Sequence, residues 1–146
     1  MINSSEAMDT ITQIMQRAVG LITQSHMARV IASNTFPEER ATPDSDAVVT
    51  FHRLLPVGCY SSDRITLCAR TPLSGPEPRE VAIKVRRYGD VVLLVIRRED
   101  LRPGVSAPTA ISAESHAYTN AREAEECKAP ILDALAYVGL DPRGER

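Results

Sequence analysis

The stretch from Glu80 to Ile96 constrains the fold of this 146-residue chain more than any other. Glu80 to Arg87 alternates, with Val81, Ile83 and Val85 on one side and Ala82, Lys84 and Arg86 on the other, the two-residue period of a strand. Gly89-Asp90 follows, and glycine supplies the positive φ that a two-residue hairpin turn demands. Val91 to Ile96 is then apolar at every position, the pattern of a strand buried on both faces. A turn at Gly89-Asp90 sets Arg86 opposite Leu93 and Lys84 opposite Val95. One face of this hairpin is therefore half apolar and half basic. A single layer of helices on the other face leaves Leu93 and Val95 uncovered, so a further helix or a second subunit is expected over them.

Two more strands are predicted upstream. Ala47 to Leu55 is rich in Val, Phe and Leu and stops before Pro56. Arg64 to Arg70 alternates, with Ile65, Leu67 and Ala69 facing one way and Arg64, Thr66, Cys68 and Arg70 the other. Thr71 to Pro78 holds three prolines and a glycine and reads as a loop.

Helices are expected at both ends. Asn3 and Glu6 have capping-box spacing, and Met8, Ile11, Met15, Ala18 and Ile22 recur three and four apart, nearly at heptad period. Met27, Val30 and Ile31 extend that stripe, so the first helix is read over 5–33. Residues 34–46 form an acidic, proline-bearing linker, and 101–118 a second loop around Pro103, Gly104 and Pro108. A helical region over 119–139 begins near Thr119 or Asn120, where Asn120 and Glu123 again have capping-box spacing. Pro130 interrupts it, because its ring clashes with the carbonyl of Glu126 and it has no amide to donate. Gly139, Leu140 and Pro142 end it, leaving 140–146 as a tail.

Strands bracketed by helices, rather than alternating with them, indicate an α+β fold. The expected architecture is an N-terminal amphipathic helix, a four-stranded antiparallel meander over 47–98 and a C-terminal kinked helix or two short helices, all in a single domain. At 43% hydrophobic and 25% charged, the composition suits one globular domain and excludes a disordered or collagen-like chain. Met1 to Asp9 lacks a basic n-region, and the longest aliphatic run falls far short of the roughly twenty residues of a membrane span. Three cysteines with no C-x-x-C pair argue against a disulfide framework. Together these point to a cytoplasmic, reducing setting with no membrane partner.

Little in the sequence carries chemistry. Cys59, Cys68 and Cys127, with His26, His52 or His116 as base, lack any signature of a nucleophile with its orienting groups. Cys127 sits near Glu125 and Glu126, whose charges disfavour a thiolate. A zinc set from His116, Cys127, Cys59 and Cys68 lacks the paired ligands that pre-set half a tetrahedron. The carboxylate pairs Glu38-Glu39, Glu99-Asp100 and Glu125-Glu126 read as solvated surface. Phosphate-binding glycine motifs, nucleophile elbows and metalloprotease helices are absent. No catalytic residue, metal or cofactor is therefore expected.

Arginine is the one constellation. Fifteen of the seventeen basic residues are Arg, although the net charge is only −2. From Arg79 to Arg102 seven basic residues meet four acidic ones, whereas residues 112–146 carry four basic and seven acidic. Arg64, Arg70, Lys84, Arg86, Arg87, Arg97 and Arg98 are candidate partner- or nucleic-acid-binding residues, because guanidinium forks hold oxyanions two-pronged and Arg is enriched at protein interfaces. Nucleic-acid platforms also need aromatic stacking surfaces, and only Phe51, Tyr60 and Tyr88 are nearby. The expected function is a non-enzymatic protein-interaction module of adaptor, chaperone-like or inhibitory kind. Homodimerisation is expected through Met8, Ile11, Met15 and Ile22 of the first helix, or through Leu93 and Val95 of the sheet. A small RNA- or DNA-binding domain is the alternative.

Overall fold

The computed structural model describes residues 2–25, 29–33, 48–54, 63–71, 78–100 and 109–141. In chain order these form α1 (Ser4–Ser25), β1 (Arg29–Ser33), β2 (Val48–Leu54), β3 (Arg64–Arg70), β4 (Arg79–Tyr88), β5 (Val91–Asp100), β6 (Thr109–Tyr118), α2 (Ala121–Ala124), a 3-10 turn (Glu125–Cys127) and α3 (Lys128–Tyr137). The strands make one sheet in the order β1-β2-β3-β4-β5-β6. β2 to β6 run antiparallel, and β1 joins parallel to β2. The α+β architecture is as expected, with the meander extended by one strand at each side.

α1 starts where the sequence signals it. Asn3 Oδ1 accepts from the Glu6 amide at 3.2 Å, so Asn3 satisfies one of the first turn's orphan donors. Ala7, Met8, Ile11, Met15, Ala18 and Ile22 are buried against the sheet. The stripe ends there: residues 29–33, expected as helix, are strand β1. Val30 and Ile31 are β-branched, stiff at χ1 and better suited to a pleated surface than to a helix. The linker 34–46 lies outside the described residues.

The hairpin register is the one read from the sequence, with Arg86 opposite Leu93 and Lys84 opposite Val95. Gly89 alone of the two turn residues has positive φ (57°), the arrangement of a II′-type turn. Val92, Leu94 and Ile96 are buried under the helices together with Ile65, Leu67, Val81, Ile83 and Val85. Val91, Leu93 and Val95, on the opposite face, are only half-buried.

A second correction concerns 101–118, expected as loop: residues 109–118 are strand β6, paired along β5. Its inward members Ser112, Glu114 and His116 are polar, so no apolar alternation marks it. The backbone ladder to β5 holds it instead.

The C-terminal region is one helical stretch interrupted by the 3-10 turn just before Pro130. The missing amide of Pro130 then falls in the first turn of α3, where helical donors lack partners in any case. The Leu140 amide bonds to Leu135 O and the Gly139 amide to Ala136 O, both at 2.9 Å, the paired bonds of a Schellman cap. Leu140, assigned to the tail, is buried on the core. Ile131, Leu132, Ala134, Leu135 and Val138 complete that core.

Candidate basic sheet face

Residues directly opposite across a ladder share a face, so the register lays out the face turned away from the helices. One row runs Arg64, Arg86, Leu93, Ala117; the next runs Thr66, Lys84, Val95, Ser115; a third runs Cys68, Ala82, Arg97, Ala113. Arg70 and Glu80 stand side by side in the last row, with Glu99 beyond them. Of the seven basic candidates, five (Arg64, Arg70, Lys84, Arg86 and Arg97) therefore lie on this outer face.

Their environments differ. Lys84, Arg86 and Arg97 are exposed. Arg97 Nη2 pairs with Glu99 Oε2 at 3.0 Å. The Arg86 guanidinium lies 4.9 Å from the ring centroid of Tyr88, a cation–π contact on a tyrosine that is 49% exposed. Arg70 is 3% exposed and its Nη1 donates to Thr71 O at 3.3 Å, and Thr66 is also buried. The outer face is thus closed around Thr66 and Arg70 and open from Lys84 and Arg86 across Leu93 and Val95 to β6.

Arg87 and Arg98 lie on the other face, each engaged within the chain. Arg87 Nε donates at 2.8 Å to Ser4 Oγ, which in turn donates to Gly89 O at 2.6 Å, locking the start of α1 to the hairpin turn. Arg98 Nη1 donates to Glu114 Oε1, and His116 Nε2 stands against Glu114 Oε2, both at 2.7 Å. These contacts, the hydrogen bond from His116 foremost and then that from Arg98, hold the Glu114 carboxyl below the usual carboxylate range. The sequence marks His116 only as a possible base or zinc ligand and does not single out Glu114, because neither shows its ladder position while 101–118 reads as loop. The two-residue spacing of Ser112, Glu114, His116 and Tyr118 was the available signal. Arg79, another residue not singled out, covers the Tyr137 ring at 4.8 Å.

The expected self-association residues separate in the same way. Met8, Ile11, Met15 and Ile22 are buried in the chain's own core, so they offer nothing to a second copy. Leu93 and Val95 remain half-buried on the open face. Burial, and next the charge of Glu125, push the Cys127 thiol up to about 12, which keeps it protonated and unreactive. Cys59, His26 and the aromatic Tyr60 lie outside the described residues. Among the described residues no three His, Cys, Asp or Glu side chains gather as metal ligands, and no helix is long and apolar enough to cross a membrane.

Fold and face together define a two-layer α+β protein whose sheet carries helices on one side and an open basic surface on the other. No protein-family model matches the chain, and no curated protein or solved structure matches it either.

Proposed function

We propose that this chain is a non-enzymatic protein-interaction module whose outer sheet face receives an acidic segment of a partner protein. One observation carries the reading: Arg86 and Lys84 stand directly opposite Leu93 and Val95, on a face that no described helix covers. Half-buried aliphatic side chains flanked by cations along β4 suit a peptide that alternates carboxylates with apolar anchors. The apolar centre supplies burial, and the charges supply orientation and rate of encounter. The wealth of Arg over Lys fits the same use, since Arg is enriched and Lys depleted at protein interfaces.

A second reading, a small RNA- or DNA-binding domain, draws on the exposed Tyr88 ring beneath Arg86. It ranks below the first because one ring is a poor stacking platform. Titration with a fluorescent peptide of alternating Glu and Leu, and with a single-stranded oligonucleotide, separates the two. The module reading expects peptide binding that weakens roughly tenfold or more in both Arg86→Glu and Leu93→Ser. Oligonucleotide binding that falls steeply with salt and ignores Leu93→Ser would replace it with the nucleic-acid reading.

A further inference from the structure

β6 ends the sheet, and one of its backbone edges meets no strand among the described residues. The ladder determines which residues turn their amides to that edge. The Arg87 amide donates to Asp63 O at 2.9 Å, so odd-numbered residues of β4 bond toward β3 and even-numbered ones toward β5. Tyr88 thus bonds toward Val91, and Leu93, Val95 and Arg97 turn the same way, because alternate residues of a strand share a direction. Val92, Leu94, Ile96 and Arg98 then bond toward Tyr118, His116, Glu114 and Ser112 of β6. Ala113, Ser115 and Ala117 remain, with N–H and C=O groups pointing off the sheet. All three are exposed, and their backbone groups have no partner among the described residues.

We propose that this edge pairs with the same edge of a second copy of the chain, antiparallel, about a two-fold axis at Ser115. The sheets of the two copies would then run into one. Both ends of the free edge dictate that centre. The ladder to β5 shifts register at Arg98/Glu99, so the regular part of β6 begins at Ser112. At the other end, Thr119 O already accepts the Asn3 amide at 2.7 Å. Centring on Ser115 pairs Ser115 with its own counterpart and Ala113 with the second copy's Ala117, so every outward group between those limits is bonded. Centring on Ala113 or Ala117 runs into the register shift or into the occupied carbonyl.

The side chains agree with this register. Glu114 falls opposite the second copy's His116, twice by symmetry. These are non-hydrogen-bonded positions, where facing Cα atoms stand only about 4.5 Å apart. An acid therefore meets an imidazole rather than its like, and Arg98 of β5 already stands against that carboxylate at 2.7 Å. On the opposite face only the small side chains of Ala113, Ser115 and Ala117 approach. An unguarded strand edge is a template for such pairing, and self-complementarity about a dyad is the usual form it takes in a closed dimer. The edge adjoins the Leu93–Val95 surface through Ala117 and Ser115 but pairs through backbone groups, whereas that surface binds through the side chains of β4 and β5, so Leu93→Ser should abolish peptide binding and leave the dimer intact.

Sedimentation across protein concentration, combined with residue-resolved hydrogen exchange, tests the pairing. A concentration-dependent dimer is expected, in which the amides of Ala113, Ser115 and Ala117 slow by roughly tenfold or more as dimer forms. The amides of Glu114 and His116, already bonded within the sheet, should not change. Ser115→Pro removes only an outward amide, a substitution that edge strands accept. It should stay monomeric at the same concentration with an unchanged circular dichroism spectrum. A monomer at every concentration overturns the proposal, as does a dimer whose odd-numbered β6 amides exchange as in the monomer. If Ser115→Pro does not fold, the wild-type exchange pattern decides.

Discussion

Arg98 reaches across the β5–β6 ladder to place Nη1 2.7 Å from Glu114 Oε1. The other oxygen of Glu114 holds His116 Nε2 at the same distance. A carboxylate whose pKa is lower in the folded than in the unfolded chain stabilises above its unfolded pKa, and that contribution is lost as pH falls through the folded value. Glu114 belongs to this class, its carboxyl lying below the ordinary 4.5. Glu114→Gln should therefore cost roughly 0.5–1 kcal/mol at neutral pH, a figure kept small because the site is partly exposed. The difference from the wild type should shrink toward zero in acid below the folded pKa. Urea denaturation at neutral and strongly acid pH checks both; a constant difference would show that charge on Glu114 is not what matters.

Met15 is fully buried on the sheet-facing side of α1. Met15→Ala should lower stability by about 2–5 kcal/mol, from lost burial and the cavity left behind. The variant should self-associate over the same concentration range as the wild type, since Met15 lies in the core and away from the β6 edge. A variant of wild-type stability that loses only self-association would place this residue at an interface instead of in the core.

Two glycines in helical surroundings should respond with opposite sign. Gly20 lies inside α1 with open space where a Cβ would stand. Gly20→Ala should raise stability by roughly 0.5–1 kcal/mol, through helix propensity and a less free unfolded chain. Gly139 closes α3 at φ +76°, a conformation strained for an L side chain. Gly139→Ala should cost about 1 kcal/mol. Thermal unfolding of both variants gives the signs; a gain at Gly139 would contradict the cap geometry.

The elements legible in the sequence were those whose period is written by burial. The β4–β5 hairpin was readable to the residue, because Val81, Ile83 and Val85 must face the core and the Gly89-Asp90 turn leaves one register that achieves it. The start of α1 and the break before Pro130 were readable because each follows from a missing or unsatisfied backbone donor. β6 was not, since an edge strand held by its neighbour's backbone needs no apolar side chains. Nor was β1, whose five residues continue the apolar spacing of α1 into a segment where pairing with β2 wins over helix propensity.

The candidate face was legible only in part. By itself, the sequence determined that Lys84 and Arg86 sit opposite Val95 and Leu93, because local pattern and turn chemistry suffice for a hairpin. Only the tertiary structure separated seven clustered cations into an outer group and the inward pair Arg87 and Arg98. It also showed that the Met8–Ile22 stripe is spent on the chain's own sheet. The physical reason is that a periodic pattern says a face must be buried without saying against what. The partner of an apolar stripe or of a charge is settled by packing between elements far apart in the chain.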